Sequence, residues 1–133
     1  MQKTIRDQIV EYIDAPYAAA FPGVPIVFPN GPFDWNNPPP RFTQVDVVFH
    51  SGTQIAVAGD PRTRFRGHVY VTACVRLGSG NRGALDVLDW FSTRLAYARI
   101  ARIQLQAPDP DGNLERKGWY LENLKFAFFA DPA

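Results

Sequence analysis

Five apolar side chains near the start, Ile5, Ile9, Tyr12, Ile13 and Tyr17, recur three, four and eight residues apart, one stripe at a helical period. The spacing predicts an N-terminal helix. Thr4 with Asp7 resembles a capping box, the hydroxyl taking a free backbone N–H while the carboxylate faces the positive helix end. Pro16 is expected to bend or end the helix, because proline lacks the donor and crowds the preceding turn. From residue 18 to 41 the pattern dissolves into punctuation: Pro22, Gly23, Pro25, Pro29, Gly31, Pro32, and Pro38-Pro39-Pro40. Between these, Ile26-Val27-Phe28 predicts a short edge strand, where proline neighbours are tolerated. The three successive prolines read as an extended lead-in to the next strand.

The pattern then changes to a period of two. Thr43, Val45, Val47 and Phe49 alternate with Gln44, Asp46, Val48 and His50, which puts one face inside and the other mostly outside. Ser51-Gly52 is expected to turn the chain into a second strand over 53–58, and Gly59-Asp60-Pro61 to break it. A longer strand over 63–77 follows, with Val69, Val71, Ala73, Val75 and Leu77 on one face and His68, Tyr70, Thr72, Cys74 and Arg76 on the other. Such alternation suits an antiparallel sheet covered on one side.

A second helix is predicted over 81–98, with Ala84, Leu88, Phe91 and Leu95 as its stripe, flanked by Leu85, Val87 and Trp90, and Asn81 as its cap. A strand over 100–106 comes next. The stretch 107–118, APDPDGNLERKG, is turn chemistry and charge and reads as a long loop. The last strand spans 119–130, with Leu124, Phe126 and Phe128 on one face and Asn123 and Lys125 opposite. The expected fold class is α+β: a mostly antiparallel β-sheet with two α-helices packed on one face, in a single domain over 1–133.

Composition narrows the function classes. The 133 residues carry 14 Lys+Arg against 13 Asp+Glu, a balance at odds with a protein whose main task is gripping nucleic-acid phosphates. One cysteine excludes an internal disulfide framework and a Cys-rich zinc site. No apolar run approaches the roughly 20 residues needed to cross a bilayer, and the opening residues do not read as a secretory signal.

Gly78-Ser79-Gly80-Asn81-Arg82-Gly83 matches G-x-G-x-x-G between a strand and a helix. The strand before it alternates in polarity and the strand after the helix brings no acid for a ribose, so it reads as a strand-to-helix loop. Asp109, Asp111, Gly112 and Glu115 hint at calcium, but Glu115 follows the glycine by three residues where an EF-hand requires about six. Asp-Pro-Asp-Gly is also what a type I turn prefers. His50 and His68 with Asp46 would make a thin metal site, and six residues of extended strand, about 20 Å, keep Cys74 from His68. No catalytic residue, no cofactor-binding residue and no metal ligand is assigned. The chain is expected not to be an enzyme.

Three features suggest contact surfaces. Arg62, Arg64 and Arg66 form a basic comb on one strand face, open to two readings: a solvated strand end guarded by charge, or an intersubunit or lumen-facing patch meeting acids such as Asp109 or Asp111 of a neighbour. Trp35 stands in the Pro/Asn-rich loop, either as a contact residue or buried against its own domain. The third is the charged stretch with Asp109, Asp111, Glu115, Arg116 and Lys117.

Taken in order, these segments resemble a known family. The N-terminal helix with Ile5-Arg6-Asp7, the Pro-rich stretch with Trp35, the strand Val45–Phe49 and the lead-in from Arg62 to Gly67 come first. The strand end Val75-Arg76-Leu77-Gly78-Ser79-Gly80, the helix after it and Gly118-Trp119-Tyr120 complete the set. The order resembles the small tail-terminator, or tail-completion, proteins of long-tailed bacteriophages and related gene transfer agents. That resemblance implies an antiparallel sheet with helices on one face and assembly into a hexameric ring at the tail–neck junction of the virion. The ring would cap the tail tube, end its polymerisation and offer its other face to the head–tail connector. It implies as partners other copies of the chain, the tail tube protein and a neck protein, with DNA only passing through the lumen, no membrane and no cofactor. Two alternatives stand beside it: another neck component, a head-closure or connector protein, and a small nucleotide- or phosphate-binding module using the Gly78–Gly83 loop.

Overall fold

Two long β-hairpins, each opened by the alternating patterns above, dominate the computed structural model, which describes residues 2–29, 31–57 and 60–131. In chain order the elements are α1 (Gln2–Ala20), β1 (Ile26–Val27), β2 (Arg41–Val57), β3 (Asp60–Arg76), α2 (Arg82–Leu95), β4 (Arg99–Ile100), β5 (Ile103–Arg116) and β6 (Trp119–Ala130). They form one six-stranded sheet in the order β1-β2-β3-β6-β5-β4. The sheet is mixed and mostly antiparallel: β1 runs parallel to β2, and the other neighbours are antiparallel. The parallel pairing arises because the proline-punctuated connection from residue 28 to 40 carries the chain back before β2 starts.

Period-two alternation sets the core. Val45 pairs with Val71 and Val47 with Val69 across β2 and β3, and Val69 and Val71 pair with Phe126 and Leu124 on β6. These side chains share one buried cluster with Ile5, Ile9, Ile13 and Tyr17 of α1 and with Ala84, Val87, Leu88, Phe91 and Leu95 of α2. Both helical stripes are therefore the ones the spacing predicts. Thr43 is the one buried polar residue among those described, and its hydroxyl lies 2.9 Å from that of Tyr17, so each supplies the other's hydrogen bond in the core.

Pro16 does not end α1, which continues to Ala20. The proline leaves the Tyr12 carbonyl without its i+4 donor, and Arg94 of α2 fills the gap, its Nη2 donating to that oxygen at 3.2 Å and its Nε at 3.4 Å. The same guanidinium lies 3.9 Å from the centroid of the Tyr12 ring, and the Tyr12 hydroxyl donates to the Arg94 carbonyl at 3.3 Å. A tertiary clamp thus replaces one helical hydrogen bond. The Thr4/Asp7 capping box is absent because the helix already runs from Gln2; Asp7 instead pairs with Lys3 one turn back at 2.7 Å.

The turns depart most from expectation. Ser51 and Gly52 are not a turn but part of β2, with a register shift between Phe49 and Ser51 that leaves His50 unpaired in the ladder. Asp60 and Pro61 open β3 rather than breaking it, while Ala58 and Gly59 of the expected strand end and breaker lie outside the described residues. Asn81 occupies the N-cap position of α2 but makes no side-chain cap hydrogen bond, and the helix stops at Leu95 rather than residue 98. The strand predicted over 100–106 is two strands, β4 and β5, folded back at Ala101, whose φ is 53°. Leu77, expected in the core, lies beyond the end of β3 and is 49% exposed.

The stretch 107–118 is not a loop. It continues β5 to Arg116, and the chain reverses at Lys117-Gly118, with φ of 50° and 84°. Positive φ at both central residues, between the paired Arg116 and Trp119, is the geometry of a two-residue type I′ hairpin. Register shifts between Leu105 and Pro108 and between Pro110 and Asn113 absorb the prolines and Gly112. An edge strand accommodates prolines because their missing donor can face away from the ladder.

Candidate functional site

The face of the sheet opposite the main core collects the sequence's chemistry-bearing side chains. It is built from Phe42, Gln44, Asp46, Val48 on β2, from Arg66, His68, Tyr70, Thr72 and Cys74 on β3, and from Leu121, Asn123, Lys125, Ala127 and Phe129 on β6, all matched by cross-strand register. Alternation dictates this assignment, since each of these residues is one step from a core position.

At one end the face is aromatic. Val27, Phe42 and Cys74 form a second buried cluster, with Phe33, Trp119 and Leu121 packed against it. Trp35 lies over this cluster, its ring 4.6 Å from Phe33 and 5.8 Å from Phe42 between centroids, and it is 59% exposed. One side of Trp35 thus packs on its own domain, and the other faces outward. Arg76 stacks over Trp119 at 4.3 Å from the ring centroid. Burial pushes the Cys74 thiol up to about 12, so it stays protonated and unreactive near neutral pH.

The middle is polar and concave. A depression of about 530 Å³ is lined by Val27, Phe28, Trp35, Gln44, Asp46 and Tyr70, among others. Beside it the Thr72 hydroxyl donates to the Asn123 side chain at 2.8 Å.

Toward the other end lie two charged groups. Lys125 sits between Asp111 at 3.5 Å and Asp109 at 3.9 Å, which joins the two acids and gives them one shared counter-ion. Neither is arranged as a calcium loop: both belong to strand β5. Arg64 makes a two-pronged contact with Asp131, at 2.6 and 3.1 Å, and lies 4.8 Å from the Phe129 ring centroid. Arg62 and Arg66, flanking it on β3, are exposed. Glu115 and Arg116 are exposed near the end of β5, and Lys117 is exposed in the turn. The comb is therefore a real row of cations, whereas Trp35 and the Lys117 turn lie at the opposite end of the sheet from it.

His50 and His68 come together, ring centroids 4.7 Å apart, as their shared polar face implies. Among the described residues no group of three or more His, Cys, Asp or Glu side chains is placed to hold a metal ion. His68 keeps its proton less readily than a free imidazole, first because of burial and then because His50 and Lys125 repel the cation, against a weaker pull from Asp109 and Asp111. The sign of the effect on stability follows. A folded-state pKa below the ordinary 6.5 makes the unfolded chain the better proton acceptor, so the contribution of neutral His68 is present above that pH and lost as the pH falls through the lowered value. Urea midpoints measured from pH 7.5 to 4.5 are expected to fall on acidification, and His68→Gln to flatten that fall; an unchanged slope in the variant would assign the acid sensitivity elsewhere.

The Gly78–Gly83 loop connects β3 to α2, with positive φ at Gly78 and Gly80 as a tight reversal requires. The hollow beside it is lined by Glu115 and Tyr120, and the Gly83 carbonyl accepts a hydrogen bond from Arg41 at 3.0 Å. A carboxylate at that hollow opposes a phosphate, in line with the structural reading of the glycines.

No family model and no curated protein matches the chain. A solved structure whose description names no function superposes with a TM-score of 0.74, over 100% of this chain and 96% of the other, at 16% identity. This likeness establishes that the arrangement of elements is one seen in a solved protein. No described helix is long and apolar enough to cross a membrane.

Proposed function

We propose that this chain is a structural virion protein that forms a ring on the end of a phage tail tube, ends its polymerisation and provides the joining surface for the head. In this reading both helices cover one face of the sheet, and the opposite face with its hairpin ends is left for contacts between copies and with the tube. The observation that carries it is the order of segments from Ile5-Arg6-Asp7 to Gly118-Trp119-Tyr120, which resembles tail-completion proteins over nearly the whole chain. Support comes from the molecule's surface. Its notable groups are an exposed Trp35, a row of arginines and an acidic pair, chemistry suited to protein contacts. The near-equal count of cations and anions suits a lumen through which DNA passes without adhering. The protein acts by binding rather than by catalysis, without a cofactor, at the tail–neck junction.

The test is recruitment. Purified tail tubes lacking their terminator are mixed with the protein and imaged, alongside isolated head connectors. Binding confined to tube ends, with tube growth stopped, is the expected result. Binding to connectors alone would select the neck-component alternative, and binding to neither would overturn the virion reading.

A further inference from the structure

Across the polar face, one row of the ladder distributes its charges unevenly. Asp46 on β2 pairs with Tyr70 on β3, Tyr70 with Lys125 on β6, and Lys125 with Asp109 on β5. The single cation of this row is drawn to one side, where Lys125 lies 3.9 Å from Asp109 and 3.5 Å from Asp111. Asp46 stands on the other side of Tyr70, and none of the ion pairs among the described residues includes it. The guanidinium of Arg6, which borders Asp46 in a smaller hollow, is committed elsewhere: it donates to the Val47 carbonyl at 2.8 Å and faces the Phe49 ring. The fold thus leaves a half-buried carboxylate without a counter-ion. Gln44, next to it on the same face, makes no side-chain hydrogen bond among the described residues.

Both side chains line the depression of about 530 Å³, whose walls include Trp35, Tyr70, Val27 and Phe28. The wall bearing Trp35 is held in place. Asp34 accepts from the backbone N–H groups of Asn36 and Asn37 at 3.0 and 3.3 Å, and the indole packs edge to face on Phe33 and Phe42. Prolines at 29, 32 and 38–40 restrict the same connection. The indole nevertheless stays 59% exposed.

This combination selects a cation on an apolar stem. Aromatic faces attract a guanidinium or ammonium, the carboxylate neutralises it, the Gln44 amide offers an oxygen to one of its N–H groups, and Val27 and Phe28 cover methylenes. An anion is repelled by Asp46, and a neutral group leaves that charge uncompensated. The volume has room for one basic side chain together with the backbone that carries it.

We propose that this depression is a docking socket for one arginine or lysine side chain presented by an extended segment of a partner protein. The socket is complete within a single chain and so does not depend on the ring; its occupant supplies the cation that the fold omits.

Titration followed by NMR of backbone amides and indole N–H groups tests it, with the pentapeptide acetyl-Ala-Gly-Arg-Gly-Ala-amide as probe. A twin peptide with citrulline in place of arginine keeps the shape and removes the charge. Saturable shifts at the Trp35 indole and at the amides of Gln44, Asp46 and Tyr70 are expected with the arginine peptide. The citrulline twin on the native chain, and the arginine peptide on Asp46→Asn, are each expected to bind at least about tenfold more weakly. Asp109→Asn, which leaves Asp111 beside Lys125, is the control and should bind as the native chain does. Equal binding of the two peptides, native affinity in Asp46→Asn, shifts centred on Asp109 and Asp111, or no saturable shift at all would overturn the socket. Free argininamide binding as tightly as the peptide would make the occupant a small cation and overturn the protein segment.

Discussion

Gly67→Ala is expected to lower the unfolding free energy by about 3 kcal/mol or more, at the high end of what a single added methyl costs. Gly67 lies in β3 between Phe49 on β2 and Phe128 on β6. A Cβ there would collide with the backbone carbonyl oxygen of Val48 and come within 2.9 Å of the Phe128 ring. The carbonyl cannot move without breaking the ladder beside the register shift at Phe49/Ser51, where β2 bends and the two-stranded arm of β2 and β3 begins. The rings of Phe49 and Phe128, edge to face at 5.7 Å, fill the space a larger residue would take. Gly52→Ala is the control: its Cβ would meet the Thr63 methyl at 3.1 Å and the Phe65 ring at an ordinary 3.6 Å, with no backbone in the way, in an exposed part of the arm, and a change within about 1 kcal/mol is expected. Urea unfolding of both variants decides; equal small losses would show that the sheet is not tightly joined at this crossing.

The second large effect concerns the clamp between the helices. Arg94→Ala is expected to cost about 2–3 kcal/mol, since it removes charged hydrogen bonds to the Tyr12 carbonyl and the stacking on the Tyr12 ring. Proline at position 16 is what makes that carbonyl dependent on Arg94. In a Pro16→Ala background the helix supplies its own donor, so Arg94→Ala should cost about 0.5–1 kcal/mol less than in the native chain. A double-mutant cycle by urea unfolding measures this coupling. A coupling of zero would mean that the guanidinium acts through packing alone.

Elements whose pattern is repeated and whose partners are apolar were legible. Both helical stripes, the edge position of β1 and the bounds of β6 follow directly from spacing, because burial of a continuous face requires it. What was hidden depends on neighbours distant in sequence. Pro16 reads as a helix end until Arg94 is seen to complete it. Residues 107–116 carry the same letters as a turn, yet at a sheet edge prolines and a glycine fit once bulges adjust the register. Ser51-Gly52 misleads in the same way, since a small residue in a strand and one in a turn look alike locally. Of the candidate contact residues, the arginine row was visible from alternation, while Lys125 as the cation shared by Asp109 and Asp111 emerges only from cross-strand pairing. That His50 would stand beside His68 was legible from their common face, while the bulge at Phe49/Ser51 was not.

In the proposed function the molecule works by joining copies of itself into a closed ring. The most direct test is the mass of the purified native protein by light scattering over a wide concentration range, with negative-stain images of the same samples, alone and with tail tubes added. Six-membered rings with an open centre, in solution or at tube ends, are the predicted result. A protein that remains monomeric at every concentration and leaves the tubes unoccupied would contradict it.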